Sequence, residues 1–244
     1  MDWVQTKLAK RVDWAPGLST FCFDQALDFD AGQWVNISAE LKGERVRRAY
    51  SIASAPGAPV ELFITEVEGG ALSPSLFDLE IGQSLQMENK ARGFFTLEHV
   101  PSAEELWLVG TGTGVAPYIS MLRNGAVLDR YATIVVVHGV RHGVHLAYAE
   151  EIRDFRTASG AVRYVPIVSR DAEKPGIVPG RITNALQSGA LERAAEVKLD
   201  PARTHMMICG NPDMIKELMT LLGERGLRRH KVREPGHITI ERYW

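Results

Sequence analysis

The sequence predicts a small antiparallel β-barrel over residues 1–100, followed by a doubly wound parallel-sheet α/β domain over residues 101–244. Short β-forming runs separated by Pro-Gly and Gly-Gly breaks fill the first hundred residues. Beyond Val100-Pro101, apolar β-rich runs alternate with helical stretches, the texture of a sheet buried on both faces. Three motifs fall in order along these regions: Arg48-Ala-Tyr-Ser51, Gly110-Thr-Gly-Thr-Gly114 and Cys209-Gly-Asn-Pro212.

In the first region, Gln33–Glu40 and Val60–Val67 read as strands by partial alternation and β-forming composition. Ala15-Pro-Gly17, Leu41-Lys-Gly43, Ala55-Pro-Gly57 and Glu68-Gly-Gly70 supply turns. A short helix is expected at Pro74–Leu79, with Ser73 as N-cap and Pro74 in the first turn. In the second region the strands are Glu105–Gly110, Thr133–His138, Val162–Ser169 and His205–Gly210. The helices are Val115–Arg123, Leu146–Arg156, Ile182–Gln187 and Pro212–Arg225. In doubly wound sheets the carboxyl ends of the strands converge on one crevice, and ligands bind there.

At 244 residues, 45% of them apolar and 24% charged, the chain can bury two cores and has the composition of a soluble protein. A formal charge of −2 gives no argument for nucleic acid. No signal-peptide pattern opens the chain and no apolar run reaches membrane-spanning length, so a cytoplasmic protein is expected. Cys22 and Cys209 lie far apart, which argues against an iron–sulfur cluster and fits a reducing compartment. The histidines suggest no metal site, and a monomer is expected.

The glycine stretch at 110–114 follows a strand and opens a helix, so its backbone can approach a pyrophosphate closely. Val115 stands where a third glycine of the dinucleotide fingerprint would be, so a merely tight βα turn explains the stretch equally well. An NAD site would place an acid after the next strand, but His138-Gly-Val-Arg141 ends there in a cation. Arg170 follows the third strand and Arg181 opens the helix after Pro179-Gly180. Three arginines at one crevice suit a 2′-phosphate, although arginines on loops are often merely solvated. In Arg48-Ala-Tyr-Ser51, alternation sends the guanidinium and the ring to one face, and the hydroxyl can bond a ring nitrogen. Cys209 is either an inert buried thiol or a compact side chain beside a reacting ring. Arg225, Arg228, Arg229, Lys231 and Arg233 form the one basic run, a candidate docking surface for an acidic carrier protein or a solvated loop.

With Gly43-Glu-Arg-Val-Arg-Arg-Ala-Tyr-Ser51, Leu72-Ser-Pro74, Gly93-Phe-Phe95, Val168-Ser-Arg170 and the terminal Glu241-Arg-Tyr-Trp244, the chain resembles the bacterial branch of the ferredoxin/flavodoxin–NADP⁺ reductase family. The resemblance spans nearly the whole chain. It implies a barrel that holds FAD, an α/β domain that binds NADP(H), and ferredoxin or flavodoxin as the one-electron partner. It assigns FAD contacts to Arg48, Ala49, Tyr50, Ser51, Thr65, Leu72, Ser73, Pro74, Thr113, Tyr243 and Trp244. NADP(H) contacts are implied for Thr113, Arg141, Ser169, Arg170, Arg181, Gly210 and Asn211, and catalytic roles for Ser51, Cys209 and Glu241. A reductase component of an oxygenase, a reductase of free flavin and a non-catalytic redox sensor are the competing readings.

Overall fold

The computed structural model describes residues 2–41, 43–172 and 174–242. They form two compact units, Met1–Thr96 with Ala116–Asn124, and Leu97–Val115 with Gly125–Trp244.

The first unit contains β1 (Trp3–Ala15), β2 (Leu18–Ala26), β3 (Trp34–Leu41), β4 (Glu44–Ser51), β5 (Pro59–Thr65), α1 (Ser73–Phe77) and β6 (Ser84–Glu88). All its pairings are antiparallel, in the order β4-β3-β6-β1-β2-β5. Just past β4, Ile52 bridges to Leu62 of β5 and the Ala53 N–H donates to the Glu61 carbonyl at 2.8 Å, so the two end strands meet and the sheet curls into a barrel. Its interior is lined by Leu8, Phe21, Val35, Ile37, Leu62 and Met87, all fully buried. One carboxylate is buried with them. Glu88 accepts from Arg92 Nε at 3.1 Å and from Asn36 Nδ2 at 2.7 Å, and chiefly the Arg92 bond holds its carboxyl below the usual range. Helix α2 (Ala116–Asn124) belongs to this unit by contact. Ser120 Oγ donates to the Ser54 carbonyl at 2.7 Å, and Arg123 Nη1 reaches Glu61 Oε2 at 2.6 Å.

The second unit carries β7 (Glu105–Thr111), α3 (Ala126–Arg130), β8 (Thr133–Val140), α4 (Ala149–Ser159), β9 (Val162–Val168), β10 (Val178–Pro179), α5 (Ile182–Gln187), α6 (Ala190–Ala195), β11 (Thr204–Gly210), α7 (Pro212–Glu224) and β12 (Ile238–Arg242). Every pairing is parallel, in the order β10-β9-β8-β7-β11-β12. Chain order therefore reverses at β7, and the crevice of a doubly wound sheet falls at the carboxyl ends of β7, β8 and β11. Trp107, Val137, Ile208, Ile215 and Leu222 are buried where the sheet packs against its helices.

The expected strands and helices are present, with three differences of physical interest. Leu72, not Ser73, occupies the N-cap of α1 and makes no side-chain cap bond. The Ser73 hydroxyl instead accepts the Val67 N–H at 2.9 Å, tying the preceding Glu-Gly-Gly turn. The helix expected from Val115 opens as a 3-10 turn over Gly112–Val115, because the close glycine backbone is still turning there. The helix expected from Leu146 starts only at Ala149, because Tyr148 takes a left-handed backbone conformation (φ 58°) and serves as its N-cap.

Two buried imidazoles make acid stability predictable. Burial pushes His138 down to about 4; neither ring nitrogen makes a hydrogen bond of normal geometry among the described residues, and the nearby Gly112 backbone only opposes the shift. Burial, reinforced by the neighbouring His230, pushes His205 down to about 3. Both folded values lie below the unfolded value of about 6.5, so the unfolded chain binds more protons as pH falls through that value. Each imidazole then removes up to about 1.4 kcal/mol of stability per pH unit. The urea midpoint should fall between pH 6.5 and 5, above the range where the carboxylates titrate. A midpoint constant over that interval would show that both rings are protonated within the fold.

Candidate functional site

Strand β4 positions the first motif. Arg48 is exposed, Tyr50 is half-buried and Ser51 is buried, with Val35 opposite Tyr50 and Trp34 opposite Ser51 on β3. Arg48 and Tyr50 stand two residues apart on one strand and share a face, as alternation requires. Arg48 Nη1 donates to the Arg47 carbonyl at 2.8 Å, which leaves most of the guanidinium fork for an anion. Burial pushes the Tyr50 phenol up to about 12, against the lowering effect of Arg48, so the ring is neutral at any physiological pH. Ala49 is exposed between them, and exposed Thr65 ends β5. Leu72 and Ser73 are buried at the start of α1, with Pro74 in its first turn. A cation, a neutral aromatic face and a buried hydroxyl on one strand are the donor set that an FAD needs.

In the second unit, strand register brings distant residues side by side. Pro166, His138, Gly110, Cys209 and Glu241 lie in one row across β9, β8, β7, β11 and β12. Cys209 and Glu241, separated by thirty-two positions in the chain, are thus direct neighbours on adjacent strands. Cys209 is fully buried and Glu241 is half-buried.

Above this row the backbone is packed too closely for side chains. A Cβ on Gly114 would lie 2.7 Å from the Cys209 carbonyl oxygen. Gly210 has φ +127°, and a Cβ there would lie 2.2 Å from Thr111 Oγ1. Asn211 then donates its N–H to Thr111 Oγ1 at 3.0 Å, while its side chain caps α7 by accepting from the Asp213 and Met214 N–H groups. Half-buried Thr113 sits in the glycine turn itself. A bare backbone cradle of this kind, at the carboxyl ends of parallel strands, fits a pyrophosphate.

The expected cations gather at the ends of β8 and β9. The Arg170 N–H donates to the Arg141 carbonyl at 2.9 Å, and the Ser169 N–H to the Val140 carbonyl at 3.1 Å. The Gly180 N–H returns to the Val168 carbonyl at 2.9 Å, which brings Arg181 back to the end of β9. All three guanidiniums are exposed, and none is paired with a carboxylate among the described residues. Asp171 fastens the two loops from below: it accepts from the Gly143 N–H at 2.8 Å and meets His142 Nδ1 at 3.2 Å. The Gly143 bond, then His142, holds its carboxyl below the usual range. Asp171 gives no signal in the sequence, because one acid among three cations is ordinary in a charge count and its partners lie 28 and 29 positions away. Thr111 gives no local signal either, because the N–H that its hydroxyl accepts belongs to Asn211, a hundred positions further along the chain.

Tyr243 and Trp244 lie outside the described residues. The basic run does not join the crevice: it folds back at the start of β12, where the His230 N–H donates to Ile238 and the His237 N–H to Arg228, each at 2.7 Å. That is the amino end of the sheet, about 20 Å along a seven-residue strand from the crevice. Its charge is also partly spent, since Arg225 pairs with Glu192 at 2.8 Å and Lys231 with Glu234 at 3.0 Å.

Comparison with known proteins agrees with this geometry. Residues 9–94 match the oxidoreductase FAD-binding domain, and residues 108–219 match the oxidoreductase NAD-binding domain. The flavodoxin/ferredoxin–NADP reductase of Shigella flexneri is 38% identical over 247 residues, covering 100% of this chain and 99% of that protein. The protein of the same name from Escherichia coli (strain K12) gives the same identity and coverage. A ferredoxin NADP⁺ reductase from Neisseria gonorrhoeae, solved with bound FAD and NADP, matches with a TM-score of 0.93 at 29% identity over 99% of each chain. The chain belongs to the flavodoxin/ferredoxin–NADP reductase family.

Proposed function

We propose that, in this reductase, β4 holds the flavin and the arginines after β8 and β9 select NADP(H) over NAD(H). The chain is an FAD-dependent oxidoreductase: hydride passes between NADP(H) and bound FAD, and single electrons pass between FAD and ferredoxin or flavodoxin. FAD supplies a ring that takes an electron pair as hydride and returns electrons one at a time, which nicotinamide cannot do.

The protein supplies binding, orientation and exclusion of water. Residues 1–100 make up the FAD-binding domain and residues 101–244 the NADP(H)-binding domain. Arg48 neutralises the FAD pyrophosphate, assisted by the backbone of Leu72, Ser73 and Pro74. Ala49 and Thr65 line the same site. Tyr50 offers a neutral ring face to the flavin. The Ser51 hydroxyl, already buried, bonds a flavin ring nitrogen without being desolvated during reaction. Thr113, Gly210 and Asn211 cradle the nucleotide, and Cys209 limits the bulk beside the nicotinamide so that its reacting carbon can approach. Glu241, beside Cys209 in register, is the candidate proton-handling group. Arg141, Ser169, Arg170 and Arg181 grip the 2′-phosphate.

One observation carries the coenzyme assignment: a 2.9 Å backbone bond from the Arg170 N–H to the Arg141 carbonyl holds together the two loops that bear these cations, where an NAD site would have an acid. The protein acts in the cytoplasm as a monomer; no described helix is long and apolar enough to cross a membrane.

Two measurements test this reading. Denaturation of the yellow protein should release stoichiometric FAD, because Arg48 has a pyrophosphate to bind only in the dinucleotide; recovery of FMN instead would remove that role. Losing a charge-assisted hydrogen bond costs roughly 1.5–3 kcal/mol, or about tenfold to a hundredfold in binding. Replacing Arg141 and Arg170 by Ala should therefore raise the KM for NADPH by at least about tenfold while leaving that for NADH within about twofold. Equal effects on both coenzymes would move the 2′-phosphate site elsewhere.

A further inference from the structure

The last rung of the parallel sheet places one branched residue between two glycines. Thr111 at the end of β7 pairs with Gly139 of β8, and on its other side Gly210 ends β11. A Cβ on Gly139 would lie 3.3 Å from Thr111 Cγ2, and one on Gly210 would lie 2.2 Å from Thr111 Oγ1. The two branches of one side chain are thus committed to different strands, the methyl towards β8 and the hydroxyl towards β11. The hydroxyl accepts the Asn211 N–H at 3.0 Å. That bond fixes the backbone between Cys209 and the cap of α7, where the Asn211 side chain is already occupied by Asp213 and Met214.

We infer that Thr111 is a positioning residue, whose hydroxyl holds the Cys209–Asn211 turn in register for hydride transfer. The inference rests on the reading that this turn faces the nicotinamide. Thr111 does not touch the reacting atoms; it fixes the segment that does. A turn displaced by about 1 Å can cost orders of magnitude in rate while scarcely altering affinity, because the phosphates anchor the nucleotide. The methyl branch, by contrast, lies towards Gly139 of β8, the strand that leads to Arg141.

The test compares Thr111→Val, Thr111→Ser and Cys209→Ala as FAD-loaded full-length proteins. The readouts are anaerobic flavin reduction by NADPH in stopped flow, calorimetric affinity for NADP⁺, and the thermal unfolding midpoint. Val keeps the volume and the methyl but removes the acceptor, so reduction should slow roughly tenfold with NADP⁺ affinity changed less than about threefold and the midpoint preserved. Ser keeps the acceptor and should restore the rate to within about twofold of the parent. A Val variant with parental rate, or a Ser variant as slow as Val, overturns the inference. So does slowing in Val that merely follows a fallen midpoint, which would mark a packing role. A slowed Cys209→Ala beside a parental Thr111→Val rejects Thr111 alone. An unaffected Cys209→Ala beside a slowed Thr111→Val removes the role given to Cys209 and leaves that of Thr111.

Discussion

The close approach of the ends of β7 and β11 is the constraint on which the nucleotide-binding unit depends. Gly114 and Gly210 permit it, since a Cβ at either would lie under 3 Å from backbone or hydroxyl of the facing strand. From that contact the rest follows in sequence. Strand β11 can end under the glycine turn, and Asn211 can cap the thirteen-residue helix α7. The register that creates the contact also sets Cys209 beside Glu241.

The barrel solves a different problem, which is holding charge at the edge of an apolar interior. Arg48 reaches solvent from the same strand whose Ser51 is buried, so one short element spans the change from wet to dry. Within the unit, Glu88 is buried and is satisfied by Arg92 and Asn36 rather than left unpaired. Arg92, just before the Gly93-Phe-Phe95 motif, thus has a structural task in holding that buried carboxylate.

Much of this was legible in the sequence because each signal had a local physical cause. Apolar β-rich runs marked β7, β8, β9 and β11. The short elements α3, α6, β10 and β12 were not legible, since five residues or so carry too little periodicity to stand out. Ser73 was misplaced as a cap because a hydroxyl before Pro suits either a helix start or a turn, and the Val67 N–H decided between them. Asp171 and Thr111 carry no local signal for another reason: their hydrogen bonds reach residues far along the chain, Asp171 to Gly143 and Thr111 to Asn211. The basic run shows the converse, a clear compositional signal whose position in the sheet, at the amino ends of the strands, separates it from the crevice.

Two-electron input with one-electron output is the central claim, and anaerobic mixing tests it directly. The FAD-loaded protein is reduced with NADPH and then mixed separately with a ferredoxin and a flavodoxin from the same source. The account predicts that NADPH bleaches the flavin absorbance and that at least one carrier is then reduced at a rate supporting turnover. Bleaching by NADPH with neither carrier reduced, or no bleaching at all, would contradict it.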